Sequence, residues 1–222
     1  IAERNALPFI TGNLCPHPCG TKCMRAFYEP EGASIRASKL TAARGGIDAL
    51  LAAIKKDGAK AVDGAAGHKV AVIGGGPAGL ACAFFLSRAG ADVTIYERKD
   101  TLGGVARHII PAFRISDEDI DRDVELCLAY GAKAQTGVEA KSVSELKAEG
   151  YTDVVVACGA WAPGHVGLEY GDEIDVLEFL GAAKRGEDLS ALGTDVVIVG
   201  AGNTAMDAAR VAKRLPGVEN VR

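Results

Sequence analysis

Apolar positions along this chain follow two different rhythms. Between Ser38 and Lys56 they recur at Leu40, Ala43, Ile47, Leu50, Leu51 and Ile54. Steps of three and four place such residues on one side of a helix. Beyond residue 68 they come instead in short, nearly unbroken runs: Val70-Ala71-Val72-Ile73, Val93-Thr94-Ile95-Tyr96, Val154-Val155-Val156-Ala157 and Val196-Val197-Ile198-Val199. Short runs rich in Val and Ile predict strands shielded on both faces. The intervals between them read as helices. Ala78 to Ala89 is helical and closes at Gly90. Ser116 is placed to cap a helix reaching about Tyr130, with Asp117, Glu118 and Asp119 in its first turn, where the helix dipole favours acids. Val143 to Ala148 is a further short helix, and Lys133 to Gln135 a short strand.

Strands alternating with helices put most of the chain in the α/β class, with parallel sheets. The alternation starts at residue 67 and restarts at 193. It divides the chain into a small N-terminal α-helical segment over 1–66, an α/β domain over 67–192 and the opening of a second one over 193–222.

Composition then removes several classes of function. Net charge is −4, from 25 basic and 29 acidic residues, and offers no basic surface to nucleic acid. A hydrophobic content of 48% supports a packed core. No apolar run approaches the roughly 18 residues of a membrane span. Six cysteines without a secretory leader point to a reducing, cytoplasmic setting, where grouped thiols hold metal rather than form disulfides. The chain opens on Ile1, and Val218 to Arg222 reads as the beginning of a strand. A piece of a longer polypeptide is therefore expected.

Two glycine-rich turns, 126 residues apart, carry the candidate chemistry. Gly74-Gly75-Gly76-Pro77-Ala78-Gly79 follows the first apolar run, and Gly200-Ala201-Gly202-Asn203-Thr204-Ala205 follows the last. In a Rossmann-like strand–turn–helix the first glycine permits the tight turn. The second lets backbone approach a pyrophosphate, and the third lets helix pack on strand. Helix amides and dipole then hold the phosphates. Ala205 takes the third glycine's place in the second turn. Glu97 ends the second strand 18 residues past Gly79, where a carboxylate meets adenosine ribose hydroxyls. Two such turns imply two dinucleotides, a flavin and a nicotinamide.

Cys15, Cys19 and Cys23 are spaced C-x3-C-x3-C, with Pro16, Pro18 and Gly20 among them. Three thiolates supply most of an iron–sulfur cluster, which takes four cysteines. With His17 as fourth ligand they equally supply a zinc site. Spacing does not separate the two metals; the neighbouring flavin-type turn favours an electron-transfer cluster. No Cys-x-x-Cys pair is present for a redox disulfide.

Taken together, the Cys-Pro-x-Pro-Cys loop, Val-Ile-Gly-Gly-Gly-Pro-Ala-Gly-Leu, Leu-Gly-Gly, Ile-Pro-x-Phe-Arg and Gly-x-Gly-Asn-Thr-Ala-Met-Asp resemble the glutamate synthase small-subunit family. From Gly103 to Arg114 the chain looks most like that family's selenate-reductase-like iron–sulfur branch. The resemblance covers essentially the whole chain. It implies a helical iron–sulfur segment, an FAD domain and an NAD(P)H domain set within it. Electrons would pass from NADPH or NADH through FAD to [4Fe–4S] clusters and on to a partner subunit or fused domain. Carried over residue by residue, it assigns Cys15, Cys19 and Cys23 to a cluster that is incomplete in this stretch. Gly74, Gly76, Pro77, Ala78 and Gly79 go to the FAD pyrophosphate, and Glu97, with Arg98 beside it, to the ribose. Gly104, Val105, Arg107 and Ile110 go to the flavin region, and Gly159 and Ala160 to the turn leading into the inserted domain. Gly200, Gly202, Asn203 and Thr204 go to the nicotinamide dinucleotide.

Overall fold

A computed structural model describes residues 1–56, 64–162, 164, 167, 169 and 173–222. The chain divides into two compact units. One comprises Ile1–Ala106 and Ile115–Gly159, the other Arg107–Arg114 and Ala160–Arg222.

The first unit opens with helices α1 (Pro8–Leu14), α2 (Pro18–Thr21) and α3 (Ile35–Lys56), with a 3-10 turn over Met24–Phe27. A Rossmann-like layer follows: β1 (Lys69–Ile73), α4 (Pro77–Arg88), β2 (Asp92–Glu97), α5 (Gly104–His108), α6 (Asp117–Leu128), β3 (Lys133–Thr136), α7 (Val143–Ala148) and β4 (Asp153–Val156). The strands are parallel, in the order β3-β2-β1-β4. Right-handed crossovers in a parallel sheet put the strand that begins the motif in the middle. Here β1 pairs with β2 from Lys69↔Asp92 to Ile73↔Tyr96, and with β4 from Val70↔Asp153 to Ile73↔Val156.

Val70, Val72, Leu80, Phe84, Val93, Ile95, Ile120 and Leu126 are fully buried and form the core between sheet and helices. The expected Ser116 cap is in place, and a second cap, not read from the sequence, stands at α7. Ser116 Oγ accepts the Asp119 amide at 3.2 Å, and Ser142 and Glu145 form a capping box at α7. One expectation needs correction. The run at β4 is a strand but not a shielded one: Val154 and Val155 are half-buried, and Val156 is 62% exposed. Apolar runs report what a strand can bury. Among the described elements β4 has a neighbour only on its β1 side.

The helical segment is held to the α/β layer by acids on α6. Asp123 is completely buried. Its Oδ1 accepts the Phe9 amide at 3.0 Å and its Oδ2 the Ile10 amide at 2.6 Å. Helix α1 has no side-chain cap of its own at Leu7, so a carboxylate from a distant helix satisfies its first free amides. Asp119 accepts Asn13 Nδ2 at 2.8 Å and Arg44 Nη2 at 3.0 Å, and Arg122 pairs with Asp48. Helix α3, expected over 38–56, runs from Ile35 and turns Ala43, Ile47 and Ile54 inward. Gly12 lets α1 approach it: an added Cβ would lie 3.1 Å from Leu40 Cβ.

The second unit contains α8 (Val176–Arg185), a 3-10 turn over Ser190–Leu192, β5 (Asp195–Val196), α9 (Asn203–Ala212) and β6 (Asn220–Val221). Asp175 caps α8 by accepting the Leu177 and Glu178 amides, and Gly186 closes it with φ of 70°. The core is Ile109, Phe179, Leu180, Ala208 and Ala212. The strand expected across 195–199 pairs in register at Asp195 and Val196, opposite Asn220 and Val221, with one further bond from the Ile198 amide to the Arg222 carbonyl at 2.8 Å. Val197 and Val199 are 71% and 66% exposed. A two-stranded sheet shields little of a strand. No helix among the described residues is long and apolar enough to cross a membrane.

Burial pushes the Asp123 carboxyl up to about 7, against the pull of the Ile10 and Phe9 amides and with some help from Asp119. Protonation is then favoured in the folded chain. The stability this group contributes is complete below its ordinary value of 3.8 and is lost as pH rises through about 7. Urea midpoints of the native chain should therefore fall relative to Asp123→Asn across that window. A pH-independent difference between the two would show that Asp123 does not titrate there.

Candidate functional site

Residues that a dinucleotide needs come together at the carboxyl end of β1. Gly74 leaves the strand with φ of 108°, a conformation that glycine adopts without strain. A Cβ on Gly74 would lie 2.4 Å from the Ala157 carbonyl oxygen, and one on Gly79 only 1.9 Å from the Gly74 carbonyl oxygen. The turn is thus closed between β1, the exit of β4 and the first turn of α4. Gly76 has extended backbone, φ −77° and ψ −175°, and caps α4, with Pro77 in the first helical turn. A Cβ on Gly76 would meet Gly104 Cα at an ordinary 3.6 Å. Only its neighbours are crowded, so the open side of the turn lies at Gly76 and Ala78, where an anion would approach the amides.

Glu97 is 7% exposed and doubly anchored. Its Oε2 accepts the Gly75 amide at 2.7 Å and its Oε1 the Lys99 amide at 2.8 Å. Both oxygens are fixed in direction and keep lone pairs for further donors. Two adjacent hydroxyls, as on a ribose, match that acceptor set. Arg98 is exposed beside it. Gly103 donates its amide to the Gly75 carbonyl at 2.8 Å. Gly104, with φ of 53°, lies so close that a Cβ would be 2.6 Å from Gly76 Cα. Val105 points outward, 38% exposed, and Gly159 is exposed with φ of 77°. The cradle fits a dinucleotide pyrophosphate: added carbons would strike backbone at Gly74, Gly79 and Gly104, and a twelve-residue helix starts there.

The second turn is formed but looser. Gly200 has φ of 139°, Gly202 caps α9, and Asn203 and Thr204 are exposed at its start. The nearest atom to a Cβ on Gly200 is Ala205 Cβ at 3.4 Å, ordinary contact. Arg107, Ile110 and Ala160 belong to the second unit, and the Ile110 carbonyl accepts Lys184 Nζ at 2.9 Å.

Five residues that meet here had no role assigned from sequence. Arg114 Nη1 binds both oxygens of Asp207 at 2.9 and 2.8 Å, and Phe113 lies under the Arg210 and Arg214 guanidinium groups at 4.4 and 4.7 Å. Asp207 is 6% exposed. The only signal in the chain was the co-occurrence of Phe-Arg and Met-Asp in the two motifs.

The cysteines are not assembled. Cys15 follows α1 and its Sγ accepts the His17 amide at 3.4 Å; Cys19 is exposed in α2; Cys23 Sγ accepts the Ala33 amide at 3.4 Å. The Ala33 and Arg25 amides hold the Cys23 thiol below its usual range. Among the described residues no three His, Cys, Asp or Glu side chains converge as a metal site. As placed, the three thiols do not fit a zinc ion or an iron–sulfur cluster. Of the others, Cys127 is buried on α6, bonded to the Ala6 carbonyl and pushed up by burial. Cys82 is a half-buried helix residue, also pushed up by burial, and Cys158 is exposed.

A parallel sheet with a Rossmann-type glycine turn and a buried, doubly anchored acid at its carboxyl edge is the arrangement of a dinucleotide-binding α/β protein. The chain belongs to the pyridine nucleotide-disulphide oxidoreductase family, whose model matches residues 68–222. It is 44% identical over 223 residues to the Escherichia coli protein YgfK, covering 99% of this chain and 21% of that one. It is 33% identical over 221 residues to the glutamate synthase [NADPH] small chain of Mycobacterium tuberculosis, covering 91% of this chain and 44% of that one. The likeness to glutamate synthase small subunits read from the motifs is borne out. The solved structure of Mycobacterium tuberculosis FprA in complex with NADPH matches with a TM-score of 0.56 at 22% identity, over 65% of this chain and 36% of that one, and bears out the fold. The chain spans less than half the length of these relatives.

Alanine is normally the better helix residue by about 1 kcal/mol. At Gly79 the clash at 1.9 Å outweighs that gain, because backbone must move. Gly79→Ala should lower stability by roughly 1–3 kcal/mol, read as a fall in thermal midpoint. A neutral or raised midpoint would show that α4 does not pack on β1 as described.

Proposed function

We propose that this chain supplies the FAD-binding and part of the NAD(P)H-binding framework of an oxidoreductase that takes hydride from NADPH or NADH and delivers electrons to a partner subunit or fused domain. The observation that carries the reading is the cradle at Gly74–Gly79 with Glu97 anchored beside it. Family membership supports a flavin and a nicotinamide as the two dinucleotides. When bound, the flavin supplies the exchange between hydride transfer and onward electron transfer.

The residues' own work is binding and orientation. The amides of Gly76, Ala78 and Gly79 face the pyrophosphate, and α4 adds its positive end. Glu97 accepts the ribose hydroxyls, its direction set by the Gly75 and Lys99 amides. Gly104 and Val105 border the flavin side. Gly202, Asn203 and Thr204 receive the nicotinamide dinucleotide at the start of α9. A [4Fe–4S] centre at Cys15, Cys19 and Cys23 would need these thiols drawn together and a fourth ligand from elsewhere. Iron and sulfide analysis tests that centre directly.

Charge-assisted hydrogen bonds contribute about 1.5–3 kcal/mol each. Glu97→Ala should weaken FAD binding about ten-fold or more, measured by flavin fluorescence titration with thermal midpoints recorded alongside. Unchanged affinity in a folded variant would remove Glu97 from the site. Failure of the native chain to bind FAD would remove the flavin reading.

A further inference from the structure

We propose that the cavity between the N-terminal turn and the last turn of α4 binds a phosphomonoester carried on a flat aromatic ring. It stands at the opposite end of α4 from the Gly74 turn, about 18 Å along the helix, and is independent of the flavin reading.

The cavity has a volume of about 430 Å³ and is lined by Glu3, Arg4, Phe85, Arg88 and Ala89. All five belong to the first compact unit. Phe84 fills the core, and Phe85 beside it meets that ring edge-on at 5.1 Å, which leaves Phe85 40% exposed. Arg88 is three residues further on, along the same side of the helix. Its Nη1 donates to the Glu3 carbonyl at 3.1 Å and so draws the N-terminal turn over the end of α4. That turn is fixed in its own right. The Arg4 and Asn5 amides donate to the Ile1 carbonyl at 3.0 Å, the Leu7 amide donates to Asn5 Oδ1 at 3.1 Å, and Ala6 and Leu7 are buried.

The cavity is short of negative charge. Arg25, Arg44, Arg114, Arg122 and Arg185 each pair with a carboxylate. Among the described residues Arg4 and Arg88 pair with none, although acids outnumber bases in the chain. The Glu3 carboxylate lines the same cavity and engages neither of them. Arg88 is half-buried, and a cation withdrawn from water without a counter-charge is unfavourable. A phosphomonoester brings a charge of about −1.5 to −2 and three acceptor oxygens, enough for two guanidinium forks; a carboxylate brings a single charge. The exposed Phe85 ring offers apolar contact to the ring that bears the phosphate.

The helix end does not oppose this through free carbonyls. A helix C-terminus disfavours anions where its last carbonyls lack donors. Here the Phe85, Leu86 and Ser87 carbonyls accept the Ala89, Ala91 and Gly90 amides, and the Ala89 carbonyl accepts those of Gly64 and Ala65.

The test is titration of the chain with phenyl phosphate and with inorganic phosphate, followed by NMR shifts of backbone amides, which separate this cavity from the Gly74 turn residue by residue. Phenyl phosphate should saturably shift the amides of Glu3, Arg4 and residues 85–89. Inorganic phosphate should shift the same amides with an affinity about five-fold weaker, the ring contact being absent. Arg88→Gln should weaken both about ten-fold, the order of one charge-assisted hydrogen bond. Phe85→Ala should bring phenyl phosphate close to the affinity of inorganic phosphate and leave the latter within about two-fold of native, a split that loss of folding does not produce. Glu3→Gln should tighten both, a gain that no damaged fold supplies. Shifts confined to residues 76–79, phenyl phosphate binding no tighter than inorganic phosphate, or native affinity in Arg88→Gln would overturn the proposal.

Discussion

The first unit depends on an absence: there is no carbon on Gly79. The ideal position of that carbon is 1.9 Å from the Gly74 carbonyl oxygen, so α4 can lie against β1 only with glycine there. Everything that makes the turn a binding site follows from that approach. Helix α4 brings Leu80, Ala83 and Phe84 onto the sheet, all at or near zero exposure, and Phe84 meets Phe85 and Tyr130 edge-on at 5.1 and 5.5 Å. The buried apolar contacts stabilise the helix, and its fixed position points its opening amides past Gly76. Core packing and ligand geometry are one arrangement here, because the helix that fills the core is the one whose end faces the ligand.

Patterns that depend on near neighbours in sequence were legible. The turns, the helix after each, the Ser116 cap and the 143–148 helix rest on local propensity and on periodicity within a few residues. Glu97 was legible for the same reason, since strand length fixes its distance from the turn. What was not legible depends on partners far along the chain. Asp123 meets amides 113 and 114 residues away, and Arg114 meets Asp207 across 93. An acid inside an acidic helix looks like a solvated one until the helix it caps is placed beside it. The valines of β4 and of 196–199 misled in the opposite sense. Hydrophobicity states a need for cover, while burial also requires a neighbour, and among the described elements both runs have one on a single side.

The cysteines expose a different limit. Three thiols within nine residues look like a ligand set, yet spacing along a chain does not determine whether side chains converge. The loop places Cys15, Cys19 and Cys23 on three successive local structures, with His17 at φ of 43° among them. Amides direct themselves at the sulfurs of Cys15 and Cys23, and at Cys23 the Ala33 and Arg25 amides favour thiolate, the form that binds metal. The chemistry of the donors and their placement therefore point different ways, and placement decides what this arrangement can hold.

Polar contacts settle how the pieces attach. The helical segment meets the α/β layer through Asp119, Arg122 and Asp123 on α6, and the 107–114 excursion meets α9 through Arg114 and Asp207. Apolar burial alone would tolerate sliding of one helix along another. A carboxylate aimed at two successive amides, or one guanidinium nitrogen held by both carboxylate oxygens, does not, since a displacement of one residue loses every bond at once while the buried charge remains. The two attachments differ in what they fix. At α6 the carboxylate binds backbone, so α1 is held whatever side chains it carries. At α9 both partners are side chains drawn from the two sequence motifs, so the register of residues 107–114 on α9 rests on residues that a single substitution can change.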